Sequence, residues 1–236
     1  MNVSTKSRIQ MISASCALLY VALAVIGWII VAGFFPLHLP SATAADIAPI
    51  FQSDHIRIAA GMIIVMFAAL AAIPYTSVIA HYVARIEGGA SVLTYMVLLG
   101  GAGLMVLTFY PAIWWLVAAF RPDRAPDLIY LMNDMAWLQF IGGVSMYDAM
   151  PLAMIIATFC DTSPTPVFPR WFAWYNLWTM VVVFPDMLLF FFHTGPFAWN
   201  GLFGFWVPLS GFGSWFFVTF YVLRKAILRD RNNGVA

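Results

Sequence analysis

The chain has 236 residues, of which 63% are apolar, 17% aromatic and only 9% charged, and its mean hydropathy is +0.90. Soluble domains carry about a quarter charged residues, so an ordinary soluble globule is excluded, and eleven Lys and Arg against ten Asp and Glu leave a net charge of +1, too little to neutralise a nucleic-acid backbone. Long apolar runs with short polar punctuation instead predict an all-α polytopic membrane bundle, a single six-span domain over residues 1–236, with no room for a second, soluble domain.

The first apolar run, residues 12–35, follows Lys6 and Arg8. It exceeds the core of a signal peptide, about 7 to 15 residues. An Ala-x-Ala pattern at Ala42 and Ala44 offers a competing cleavage site, but cleavage would strip a whole span and leave an odd number, so a retained helix is expected. Asp46 to Asp54 then form an acid-led, helix-compatible stretch before the second span, 58–82. A turn at Arg85-Ile86-Glu87-Gly88-Gly89, holding the only glutamate, leads to the third span, 92–119, whose Gly100-Gly101-Ala102-Gly103 suits close approach of another helix. That span leaves as Val117-Ala118-Ala119-Phe120-Arg121-Pro122, much as the first leaves as Val31-Ala32-Gly33-Phe34-Phe35-Pro36, and a second acid-led stretch, Asp127 to Asp134, follows. Either a weak repeat of helical hairpins with short interfacial helices or chance similarity accounts for this. The remaining spans are 134–160, 171–193 and 201–223. Between the last two, Thr194-Gly195-Pro196 and Asn200-Gly201 carry turn chemistry and predict a defined cap.

Lys and Arg near span ends are retained in the cytoplasm. With both termini inside, Lys6, Arg8, Arg85, Arg170, Arg224, Lys225, Arg229 and Arg231 are cytoplasmic, against Arg57, Arg121 and Arg124 outside. That count predicts a multi-pass membrane protein with both termini cytoplasmic. Cys16 and Cys160 lie toward the cytoplasmic ends of separate spans and read as small buried hydrophobes without a disulfide.

Ionisable groups at membrane depth are costly, which makes each a candidate site residue. Asp186 leads, in Val183-Phe184-Pro185-Asp186-Met187, because Pro185 kinks the helix beside a carboxylate. On an α-helical wheel Asn176, Thr179, Val183, Asp186, Phe190 and His193 share a face. Asp186 is either a ligand or proton site or a structural carboxylate bonded to a neighbouring helix. Asp148, before Pro151, is the second candidate, with a tethering ion pair to Arg85, His81 or Arg170 preferred over chemistry. Asp134, with Asn133 beside it, is read as a helix cap equivalent to Asp54 rather than as an intramembrane acid.

His81 and His193 fall at opposite ends of different spans, which excludes a bis-histidine haem, and His38, His55, His193, Asp54 and Asp186 lack ligand spacing on one helix, so neither a metal nor another cofactor is expected. No phosphate-cradling loop, nucleophile elbow or intramembrane lysine occurs. The aromatic run from Trp171 to Phe220 fits either an apolar cavity or lipid-facing packing.

The segments Val167-Phe168-Pro169-Arg170-Trp171, Tyr175-Asn176-Leu177-Trp178 and Thr194 to Gly201, with the Arg85 to Gly89 turn and Phe120-Arg121-Pro122, resemble a group of bacterial six-span membrane proteins with no established activity. The resemblance implies an inner-membrane protein and no mechanism. Three functions remain open. The first is a non-catalytic protein that binds a lipid or hydrophobic small molecule, or serves as a homo-oligomer or subunit of a membrane complex. The second is a small proton-linked transporter using Asp186 or Asp148. The third is an intramembrane enzyme on a lipophilic substrate, with Asp186 and His193 as its acid/base pair.

Overall fold

The computed structural model describes residues 2–234. The fold is all-helical, with six helices long and apolar enough to cross a membrane. α1 (Val3–Ala24) continues as a π-helical segment, Val25–Val31; α2 is Ala44–Glu87 and α3 is Val92–Phe120. The fourth span is α4 (Pro126–Gly142), a 3-10 segment (Gly143–Met146) and α5 (Ala149–Cys160). α6 (Arg170–Val183) runs on as a 3-10 segment, Phe184–Phe191, and the last span is a π-helical segment, Leu202–Trp206, followed by α7 (Val207–Asn232).

The third span matches its expected bounds, whereas others overrun theirs. α1 begins nine residues before Ile12 and α7 ends nine residues after Leu223. Polar residues such as Lys6 and Arg229 extend these helices without being apolar, so hydropathy alone stops short of them. Within α2 the backbone turns at Asp54 (φ −106°, ψ 17°), so Ala44 to Asp54 form a short helix set off from the span. The second acid-led stretch differs. α4 starts at Pro126, favourable at a first helical turn, and runs through Asp134 without a cap there, so the cap assignment of Asp134 is corrected.

The spans close into a ring. α1 packs on α2, α2 on α3, α3 on α4 and α5, α5 on α6, α6 on α7, and α7 returns to α1. Large apolar side chains such as Phe67, Leu99 and Phe120 remain exposed around the outside, as a lipid-facing surface requires. Glycine permits the tightest approach. A Cβ at Gly61 would collide with the Gly27 carbonyl oxygen and the Ala32 backbone, and one at Gly27 would collide with the Gly61 carbonyl.

The end where α1 begins and α7 finishes is sealed by polar contacts. Asp230 is buried, takes the Arg85 guanidinium at 2.5 Å and accepts from Tyr82 Oη at 3.1 Å. Glu87 accepts from the amides of Leu93 and Thr94 at 3.0 and 2.8 Å, capping α3 across a turn where Gly88 (φ 74°) ends α2 in the left-handed region. In the loop after α5, burial works to raise the Asp161 pKa, but hydrogen bonds from Ser163 and from the Val167 amide hold it below the usual carboxylate range. Cys16 and Cys160 are free thiols, and Cys160 is exposed rather than buried.

Gly61→Ala should separate the first two spans and cost about 1–3 kcal/mol, the usual penalty of overpacking. A thermal-unfolding midpoint equal to that of the parent chain would show that the contact tolerates a methyl group.

Candidate functional site

The ring encloses an apolar cavity of about 200 Å³ to which all six spans contribute. Tyr20, Ala24 and Trp28 come from the first span, Val65 from α2, Leu107 and Thr108 from α3, and Phe140 and Val144 from the fourth. Asp186 comes from the fifth, and Phe205, Leu209, Phe212 and Phe216 from the last. Val25 and Leu209 line the cavity yet are 41% and 43% exposed, so it opens sideways between the first and last spans. Asp186, 5% exposed, is the carboxyl within it, and its Oδ1 has no hydrogen-bond partner.

All four 3-10 and π-helical segments meet this cavity. The π segment of the first span supplies Val25 and Trp28, and that of the last supplies Phe205. The 3-10 segments of the fourth and fifth spans supply Val144 and Asp186. Local chemistry explains three of the four. Pro208 has no N–H for the Gly204 carbonyl one turn earlier, and Pro185 has none for that of Val181. The Gly142-Gly143 pair gives the fourth span its weak point, and Gly142 lies against the Phe190 ring, so the two 3-10 segments pack on one another. The first span carries no proline; Gly27 sits in its π segment at the close contact with Gly61.

Asp148 follows the fourth-span break, half-buried, with Oδ1 unpartnered. The tethering ion pair expected for it is absent among the described residues: Arg85 is bound to Asp230, and His81 Nε2 meets Gln10 at 3.1 Å. Asp148 is close enough to Asp186 for its charge to act there. Asn176 does not reach the cavity. Its Nδ2 donates to the Phe172 carbonyl at 2.7 Å and its Oδ1 accepts from Trp215 Nε1 at 2.8 Å, which makes it a structural bridge between α6 and α7. His193 is exposed beyond the fifth span, whereas Asp186 is buried, and no hydrogen bond joins the two among the described residues. A 3-10 helix advances about 120° per residue instead of about 100° and the chain turns extended at Phe192, so Val183 and Asp186 still share a face but His193 leaves it. The acid/base pair Asp186 and His193 is therefore corrected.

A polar network that sequence reasoning missed lies above the cavity. Trp115 Nε1 donates to Asn133 Oδ1 at 3.4 Å, which fixes that atom as the amide oxygen. His38 Nδ1, 3.0 Å from the same oxygen, must then carry its proton and donate. The loop from Gly195 to Gly201 folds over it as a cap, with Gly201 N donating to the Ala198 carbonyl at 2.7 Å and Trp199 Nε1 to the His38 carbonyl at 2.7 Å. Trp199 stacks on Trp137 at 5.9 Å. His38 and Asn133 lie far apart in sequence with no shared periodicity, so only the folded chain reveals the pairing.

Comparison of the chain with protein-family models, curated proteins and solved structures finds no match. Function is therefore argued from the cavity and its residues. Among the described residues, no group of three His, Cys, Asp or Glu side chains is placed to hold a metal ion.

Burial holds the His38 imidazole below its ordinary pKa, with the Asn133 contact opposing part of that effect. The unfolded chain thus binds a proton more readily than the folded one, so this contribution is fully present above about pH 6.5 and is lost as pH falls below it. Between about pH 7.5 and about pH 5 the unfolding midpoint should drop, and His38→Gln should lessen the drop; parallel profiles would remove His38 from the account.

Proposed function

We propose that this protein is a multi-pass protein of a bacterial cytoplasmic membrane, with both termini in the cytoplasm, that binds a lipophilic small molecule entering its axial cavity from the bilayer. Orientation is supported by the eight of eleven basic residues assigned to the cytoplasmic side. The observation that carries binding is the convergence of all four non-α segments on one apolar cavity that opens between spans and ends at an unpartnered carboxyl. Such segments give up regular backbone hydrogen bonds in a medium with no water to replace them, and in membrane proteins they occur where backbone lines a cavity or is buried in protein.

Gly213 provides the test. It lines the cavity, and a Cβ there would meet nothing within 4 Å, so Gly213→Phe introduces a bulky side chain at the cavity wall without a clash at its first carbon. Native mass spectrometry of the parent chain released from its membrane should retain a lipophilic species that Gly213→Phe loses. Equal retention by both would reject the cavity as the binding site.

Proton-linked transport is the second function that a specific observation favours. Asp148 and Asp186 stand at the breaks of two discontinuous spans whose 3-10 segments pack on one another, an arrangement transporters use for substrates and coupling ions. In proteoliposomes holding a pH-sensitive dye, an imposed membrane potential should then drive proton uptake that Asp148→Asn abolishes. Flux unchanged in that variant would eliminate transport through this pair. Catalysis by Asp186 and His193 is not retained, because the two side chains are not brought together.

A further inference from the structure

We infer that the occupant of the axial cavity is a lipophilic cation: an apolar body carrying an ammonium or similar positive group, held by Asp186 and by aromatic ring faces. This rests on the binding function proposed above and adds the charge of the ligand.

The lining has one sign. Asp186 is its sole acid, and neither Lys, Arg nor His lines the cavity. The hydroxyls add acceptors. Thr108 Oγ1 donates to the Leu104 carbonyl at 2.9 Å, so in its 2.6 Å contact with Tyr20 it must accept the Tyr20 proton. Tyr20 Oη is then left with lone pairs alone. Asp186 Oδ1 is likewise without a donor. Two side chains that line one apolar space thus each carry an oxygen that lacks a donor. The indole N–H of Trp28 is a buried donor without a partner, and a single neutral donor is a poor match for an anion.

The aromatic content separates a cation from a neutral donor such as an alcohol. Tyr20, Trp28, Phe140, Phe205, Phe212 and Phe216 surround the same space. Their ring faces carry partial negative charge and attract a cation within about 6 Å, most strongly where water is excluded. Aliphatic side chains would enclose an alcohol's chain equally well. Asp148 places a second acid near Asp186. Size is compatible as well: an apolar cavity of about 150 Å³ accepts a benzene ring, and this one is about 200 Å³ with a lateral opening through which a chain can trail into lipid.

The full chain in phosphatidylcholine nanodiscs provides the test, with tritiated benzyldimethyldodecylammonium as the probe and dodecylbenzene and dodecylbenzenesulfonate as neutral and anionic competitors. Saturable binding of one cation per chain is expected, displaced weakly by dodecylbenzene and not at all by the sulfonate. Asp186→Asn should weaken it at least tenfold, Asp186→Glu should retain most of it, and Gly213→Phe should abolish it while leaving the carboxyl in place. If Asp186→Asn binds as the parent does, or dodecylbenzene displaces the probe as well as the unlabelled cation, the charge assignment falls and a lipophilic binding cavity remains. If none of the three compounds binds saturably, both are overturned.

Discussion

Backbone hydrogen bonding in a solvent that offers none governs this molecule. In hydrocarbon every N–H and C=O must find its partner inside the protein, which makes continuous α-helix the default and makes each departure from it costly. Here four of six spans depart from it, and all four departures reach the same cavity. Proline and glycine set the chemical occasion at Pro185, Pro208 and Gly142-Gly143. Yet Pro74 and Pro111 lie within α2 and α3, neither of which is broken there. Proline alone therefore does not account for the breaks. What distinguishes them is their common destination.

The surrounding structure holds that destination open. Gly27 and Gly61 bring the first two spans into backbone contact beside the cavity, because Val65 both meets Gly27 and lines the space. Above it, Trp28, Trp115, Trp137 and Trp199 interlock with centroid separations of 5.4 to 5.9 Å, and the donors of Trp115, Trp199 and His38 tie α3, α4 and two loops together. At the opposite end, Asp230 joins the last turns of α2 and α7. A cavity in a loosely packed bundle would collapse, since apolar voids forfeit dispersion contacts. Rigid seals at both ends resist that collapse.

Much of the architecture was legible in the amino-acid pattern. Six apolar runs appear as six helices, and the acid-led stretch before Asp54 is a separate short helix, because turn chemistry and hydropathy act locally. What escaped is non-local or depends on a change of helix type. The wheel through Asp186 and His193 assumed α-geometry across Pro185, and the 3-10 segment rotates the later residues away from it. Asp134 looked like a cap by analogy with Asp54, but α4 already begins at Pro126. Arg85 was a plausible partner for Asp148 by depth alone; Asp230, on a helix extending past the hydrophobic run, takes it instead. Tyr20, Trp28 and Thr108 gave no signal, since the cavity they line exists only once the last span closes on the first.

The polar side chains that join the helices divide by whether their bonding is complete. Asn176 is fully buried and both of its amide atoms are bonded, Glu87 caps three donors, and Asp230 has Arg85 and Tyr82. Each is explained by structure. Asp186 sits on the same span as Asn176 with comparable burial, and its Oδ1 has nothing. Leaving a buried acceptor unmet costs about 1–3 kcal/mol, more for a charged group, a large share of the total stability of a typical fold. An apolar residue would remove that cost. The ligand proposed above would account for a buried carboxyl oxygen kept unpartnered on a segment that departs from α-helix where it meets the cavity.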